Sequence, residues 1–221
     1  RQLLPISDFR DEIIQTVNKH QVVVLSGETG CGKSTQLPQF LAEEILTNAT
    51  CSHGQIICTQ PRRISAMSIA QRVSLEMGDR PKTTGLDGSL VGYQIRMENQ
   101  TSPSNVLVFC TTGILLRRLE NDQDLTGIKY VIIDEVHERS MESDFLMVIL
   151  QRIRRSRPDL RIVLMSATIN AEKFSAYFDH CPMITVPGRT FPVDVYHLED
   201  IVEKLGRKYP GLTTLNTEDF C

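Results

Sequence analysis

"QVVVLSGETGCGKST", residues 21–35, runs from an apolar stretch through a glycine-rich turn into a lysine and two hydroxyls. The β-branched run Val22–Leu25 reads as a buried strand, and the residues from Lys33 through "KSTQLPQFLAEEIL" read as a helix. Between them, "GETGCGKS" (Gly27–Ser34) matches G-x-x-x-x-G-K-[ST] at every fixed position. The setting is the one the motif needs, directly after a strand and directly before a helix. Gly27, Gly30 and Gly32 let the backbone curl tightly and turn its N–H groups inward toward an anion. The helix start adds the positive end of its dipole. Lys33 then supplies a point charge for β- and γ-phosphates, and the Ser34 hydroxyl a ligand for Mg²⁺. Glu28, Thr29, Cys31 and Thr35 complete the same nucleotide-binding stretch. A chance glycine turn could match the pattern alone, but it would not be framed by these two elements.

Outward from this loop, apolar strands alternate with amphipathic helices. Strands are expected at "GQIICTQ" (54–60), "LVGYQIRME" (90–98), "NVLVFCT" (105–111), "IKYVIIDE" (128–135) and "LRIVLMSA" (160–167). Helices are expected at 64–78, 113–120, 143–156 and 170–178, followed by "MITVPG" and "VDVYHL". Near-continuous Val/Ile strands separated by helices imply an α/β fold, a mostly parallel sheet covered by helices on both faces. "RPKTTGLDGS" (80–89) reads as a surface loop, and the tail from Leu205 shows no clear pattern.

Composition excludes several classes. The 221 residues are 41% hydrophobic and 23% charged, ordinary for a globular chain with one large core. No apolar run approaches the roughly 20 residues of a membrane span, and acids interrupt the first apolar stretch, which is therefore no signal peptide. A net charge of -3 means that any nucleic-acid contact must come from a local surface. The six cysteines form no CxxC pair, so neither a zinc site nor a disulfide framework is expected. Free thiols point to a reducing compartment.

A second stretch, "VIIDEVHERS" (131–140), ends a buried strand on two carboxylates. Strand ends are often acidic simply because they are solvated. Beside a phosphate loop the pair has a sharper meaning. Asp134 would hold Mg²⁺ with Ser34, while Glu135, one residue on and near the metal, would orient and deprotonate the attacking water. A kinase passing phosphate to a small molecule would not need Glu135 there.

These stretches, in order "GETGCGKST", "TQPRRISAMSIAQRV", "TTGILLRRL", "DEVHERS", "SAT" and "PGRTFPV", resemble the DEAH-box (DEAH/RHA) RNA helicases of superfamily 2 over residues 7–198, with Val136 in place of the family's alanine. The resemblance implies a RecA-like P-loop NTPase domain over 1–198, with 199–221 beginning a linker toward a second RecA-like domain. It implies ATP, or another NTP, and Mg²⁺ as cofactors and RNA as partner. Arg62 and Arg63 match residues beside the RNA backbone, and as cations at a strand end they suit phosphate. Thr111, Thr112 and Gly113 match a second backbone contact at a helix N-terminus. Arg72 matches the arginine that stacks on the nucleotide base. A guanidinium face discriminates little among bases, and no glutamine motif of the DEAD-box type accompanies it. Ser166, Ala167 and Thr168 match the motif coupling hydrolysis to strand movement, with His137 joining them. Ser166 and Thr168 could equally cap the next helix.

Other features carry no functional reading. Arg152, Arg154, Arg155, Arg157 and Arg161 suit a solvated helix end, and Met67, Met77, Phe174 and Phe178 have core spacing. The arginine-finger motif of the family's second domain does not occur in this sequence. The chain is therefore expected to be a monomeric first motor domain, nearly inactive alone, with no membrane contact, from a cytoplasmic or nuclear protein. A P-loop module that senses NTP without turnover is the alternative.

Overall fold

The computed structural model describes residues 4–47, 54–167, 171–188 and 193–208, with side chains 206–208 excluded. Thr168 and most of "RTFPV" therefore lie outside the described residues. The chain divides into two compact units, Arg1–Arg189 and Thr190–Cys221.

In the first unit, helices α1 (Arg10–Lys19), α2 (Lys33–Thr47), α3 (Arg63–Glu76), α4 (Thr112–Asn121), α5 (Met141–Ser156) and α6 (Ala171–Tyr177) surround eight strands. The strands are β1 (Val22–Gly27), β2 (Gln55–Gln60), β3 (Val91–Ile95), β4 (Glu98–Gln100), β5 (Leu107–Thr111), β6 (Ile128–Ile133), β7 (Arg161–Ser166) and β8 (Met183–Val186). They form one sheet in the order β4-β3-β5-β2-β6-β7-β1-β8. Every pairing is parallel except the β3–β4 hairpin at one edge. This is the expected α/β architecture.

The strands are apolar throughout because both faces are covered. Val23 and Leu25 of β1, Tyr130 and Ile132 of β6, and Val163 and Met165 of β7 face a core shared with Leu37 and Phe40 of α2 and Val73 of α3. Their alternating neighbours Val22, Val24, Val131, Ile133, Ile162 and Leu164 face a second core with Leu115 of α4, Leu146 and Leu150 of α5, and Phe174 of α6. The period-2 alternation thus serves two cores rather than a core and solvent. Val136 is fully buried in the second core, so replacing alanine there adds packing and leaves the flanking acids in place.

Two elements depart from the sequence reading. The stretch 90–98 is not one strand. It turns at Arg96 and Met97, with Met97 at φ 69, and returns antiparallel as β4. In the second unit, residues 193–197 have no regular structure, and a helix, α7 (Leu198–Lys208), occupies the segment expected to begin a linker. Leu198, Ile201, Val202 and Leu205 recur at helical spacing, and Asp200 Oδ2 accepts the His197 N–H at 2.9 Å, closing the first turn.

Candidate active site and candidate nucleic-acid interface

In a parallel sheet the C-terminal strand ends share one edge, where ligand sites gather. Here that edge carries the phosphate loop after β1, Gln60–Arg62 after β2, Thr111 at the end of β5, Asp134 after β6 and Ser166–Ala167 after β7. Positions distant in sequence are brought together at adjacent strand ends.

The loop between β1 and α2 has the required backbone. Gly30 and Gly32 take φ 83 and 102, which L side chains rarely adopt. A Cβ at Gly27 would lie 3.0 Å from both Cys31 Sγ and the Val186 carbonyl oxygen, so a side chain here would crowd both neighbours. The Lys33 ammonium is buried inside the loop, donating to the carbonyls of Gly27 at 2.5 Å and Glu28 at 3.1 Å. Cys31 is fully buried, with its sulfur 3.7 Å from Lys33 Nζ. Thr35 Oγ1 donates to the Gly32 carbonyl at 3.3 Å, tying the first turn of α2 to the loop.

Asp134 sits at the floor, 2% exposed. Gln60 Nε2 donates to its Oδ2 at 2.7 Å, and the Glu135 N–H donates to its Oδ1 at 2.9 Å. Burial raises its pKa, opposed by hydrogen bonds from the Ser34 hydroxyl, Gln60 and the Glu135 amide and by the Lys33 charge. A serine hydroxyl beside a buried carboxylate is a hard oxygen pair that fits Mg²⁺, which takes one or two protein oxygens and fills its shell with phosphate and water. No cluster of three or more His, Cys, Asp or Glu that could hold a metal occurs among the described residues.

Glu135 adopts φ 54, ψ 37, a left-handed conformation that costs a non-glycine residue free energy. This turn puts the two adjacent acids in different surroundings: Asp134 stays buried, while Glu135 swings toward His137, its Oε2 3.3 Å from Nε2. Burial and the Asp134 charge raise the Glu135 pKa, the direction that strengthens a carboxylate as a base. His137 Nδ1 accepts the Ala167 N–H at 3.1 Å. With Nδ1 the acceptor, a neutral ring carries its proton on Nε2, the nitrogen that lies beside the Glu135 carboxylate. One imidazole thus takes a hydrogen bond from the end of β7 and lies against Glu135. Ser166 is fully buried and its hydroxyl donates to the Ala167 carbonyl at 2.7 Å.

A cleft of about 450 Å³ lies farther along the same edge, lined by Arg63, Arg96, Arg117, Thr111, Gly113 and Glu142 among others. Thr111 caps α4 in an extended conformation without a side-chain cap bond, and Thr112 is buried behind it. Arg62 caps α3 and pairs with Glu138 at 3.1 Å. Arg63 lines this cleft and Arg62 does not. Sequence reasoning misses Arg96, Arg117, Glu142 and Gln60. Arg96 sits in the hairpin turn hidden inside the single expected strand. Gln60 stands in the quoted "TQPRR" stretch, but its partner Asp134 is 74 positions away.

Arg72, on α3, lies 68% exposed with its Nε 2.5 Å from Glu76 Oε1. Burial pushes the Glu76 carboxyl up, but hydrogen bonds from Gln39, Arg72 and Gln36 and the Arg72 charge outweigh it and hold the group at about 2.

Comparison with known proteins agrees with this geometry. The DEAD/DEAH box helicase family matches residues 7–176. The chain belongs to that family. The helicase domain is 54% identical over 207 residues to the human "ATP-dependent RNA helicase DHX29", a match covering 93% of this chain and 15% of that protein. It is 54% identical over 202 residues to the human "Putative ATP-dependent RNA helicase DHX57" (91% and 14%) and 51% identical over 204 residues to the Arabidopsis thaliana "DExH-box ATP-dependent RNA helicase DExH1" (92% and 20%). The helicase domain thus spans at most about a fifth of the length of these relatives. No helix among its described residues is long and apolar enough to cross a membrane.

Proposed function

We propose that this domain is the first RecA-like motor domain of an ATP-dependent RNA helicase, binding Mg²⁺–NTP at the β1–α2 loop and an RNA backbone along the Arg62–Thr111 edge. The observation that carries the reading is the divergence of Asp134 and Glu135: one buried and held by Gln60, the other turned to a histidine that reaches the next strand end. Gly27–Thr35 would hold the phosphates, Ser34 and Asp134 the metal with Glu135 close by, and Arg72 one face of the base. Mg²⁺ supplies charge neutralisation when bound. Glu135 accepts the proton of the attacking water. His137 fixes the Glu135 carboxylate and transmits its position to Ser166 and Ala167, and the same motif would include Thr168. Arg62, Arg63, Thr111, Thr112 and Gly113, with Arg96 and Arg117, would grip phosphates without reading bases. A second RecA-like domain would supply arginine fingers, worth about 10³–10⁵ in rate in related P-loop enzymes. The buried free thiols Cys31, Cys58 and Cys110 support a reducing, cytoplasmic or nuclear setting.

The test is Glu135→Gln in the full-length protein. Loss of the base should lower kcat by about 10²–10⁴-fold while nucleotide still binds. A fall below about threefold would return the site to a nucleotide sensor.

A further inference from the structure

Arg72 and Glu76 look at first like an ordinary i,i+4 surface pair on α3, but their surroundings differ sharply. The Arg72 side chain is 68% exposed and the Glu76 side chain 16%. Arginine placed N-terminal to glutamate is also the weaker order for such a pair on a helix, so helix stabilisation does not explain it. What fixes the acid comes from α2. Gln36 and Gln39, both with 0% exposure, donate to Glu76 Oε2 at 2.9 and 2.8 Å. Gln39 also donates to the Thr35 carbonyl at 2.9 Å, while its own Oε1 stays buried without a hydrogen-bond partner. Its amide is turned to give donors to the carboxylate at the expense of its acceptor.

The connection continues into the phosphate loop. Gln36 Nε2 lies 3.1 Å from Thr35 Oγ1, which donates to the Gly32 carbonyl. Gly32, Thr35, Gln36, Glu76 and Arg72 form one hydrogen-bonded chain from the phosphate cradle to an exposed guanidinium. Arg72 contributes only Nε to it, which leaves both terminal nitrogens and the flat face presented. A free exposed arginine samples many rotamers, and ordering it on binding costs free energy. One anchored through Nε by a carboxylate fixed from behind has lost that freedom in advance.

We propose that Glu76 is the positioning residue for base binding: its carboxylate, locked by Gln36 and Gln39, holds the Arg72 guanidinium at a set height beside the phosphate loop. This deepens the proposed nucleotide site and rests on the reading of Arg72 as the base-facing residue. Glu76 touches no nucleotide itself. The base platform and the phosphate cradle are thereby one rigid unit, and a nucleotide's base is bound by a group registered to its phosphates.

The experiment compares Arg72→Ala, Glu76→Ala and Glu76→Gln in the full-length helicase. It reads kcat and KM for ATP, and inhibition by inorganic tripolyphosphate, which offers phosphates without a base. Glu76→Ala should raise the ATP KM by about 3- to 30-fold, the value of a cation on a ring face, with kcat changed by less than about threefold. Tripolyphosphate inhibition should move by less than about twofold. Arg72→Ala should do the same, and the double variant should be no worse than either alone, because both remove one function. Glu76→Gln keeps the shape and an acceptor and should fall between, carrying the test if the alanine variant does not fold. If ATP and tripolyphosphate weaken together, Glu76 serves the phosphate loop and the proposal is wrong. If Arg72→Ala raises KM and neither Glu76 variant does, Arg72 needs no positioning and the proposal again fails. If Arg72→Ala leaves KM unchanged, the base-facing reading itself falls.

Discussion

The two ends of the functional edge are built in opposite ways. Around the ends of β1, β6 and β7, Lys33, Asp134 and Ser166 are all buried, and each has hydrogen-bonding partners, Asp134 among them Gln60 at the last position of β2. Just beyond β2, by contrast, Arg62 is 73% exposed and its partner Glu138 is 35% exposed. Chemistry on a phosphoryl group needs charges fixed in place and kept from water, since field strength falls steeply with solvation. Gripping a backbone that must later be released needs cations that exchange partners cheaply, and screened surface pairs provide that. Glu138 is the join between the two: it pairs with Arg62 on one side and stands one residue from His137 on the other.

The contrast can be broken at several points. The largest expected effect is at the buried end, where Glu135→Gln should cost the hydrolysis rate about two to four orders of magnitude. Next comes the base face. With a stacking guanidinium and no hydrogen-bonding pocket, ATP and GTP should serve the full-length protein within about tenfold in kcat/KM, roughly 1.4 kcal/mol. A thousandfold preference on the order of 4 kcal/mol would require donors and acceptors around the base that Arg72 does not provide. At the exposed end, Arg62→Ala and Arg63→Ala should each weaken RNA binding across sequences. Each should also flatten the salt dependence of log K by about 0.7 for every single-strand phosphate that the missing cation had neutralised. Unchanged affinity and slope would make these arginines ordinary solvated side chains. The smallest effect is the Arg62–Glu138 pair itself. A double-mutant cycle on folding stability should give a coupling of about 1 kcal/mol or less, as for exposed ion pairs. A larger value would mean the proposed RNA-binding edge is as rigid as the site beneath it.

The same contrast sets what the sequence makes legible. The phosphate loop and the Asp134–Glu135–His137 stretch are local, so their residues, spacing and flanking elements can be read in order. The parallel sheet follows from strands that are apolar on both faces. The β3–β4 hairpin is hidden because its turn uses Arg96 and Met97, with Met97 in a left-handed conformation that no glycine or asparagine announces. Arg96 is hidden with it. Gln60 and Glu142 matter through partners on other elements, Asp134 and the N-terminus of α4. Such pairings depend on strand order and helix placement, which no window of sequence displays. Helix α7 is obscured for a different reason: "VDVYHL" alternates like the strand "MITVPG" before it, and grouping Leu198 with that stretch splits the apolar repeat that Leu198 begins.

The central claim is that hydrolysis and RNA grip are separately built on one sheet edge. It is tested most directly by measuring single-turnover hydrolysis and equilibrium RNA binding side by side, at fixed salt, on full-length Glu135→Gln and on the Arg62→Ala/Arg63→Ala double variant. The account predicts that Glu135→Gln loses at least about a hundredfold in hydrolysis while its RNA affinity stays within about threefold of the parent. The arginine variant should lose RNA affinity by about tenfold or more, with a flatter salt slope. Glu135→Gln losing as much RNA affinity as the arginine variant, or still hydrolysing within about threefold of the parent, would contradict it.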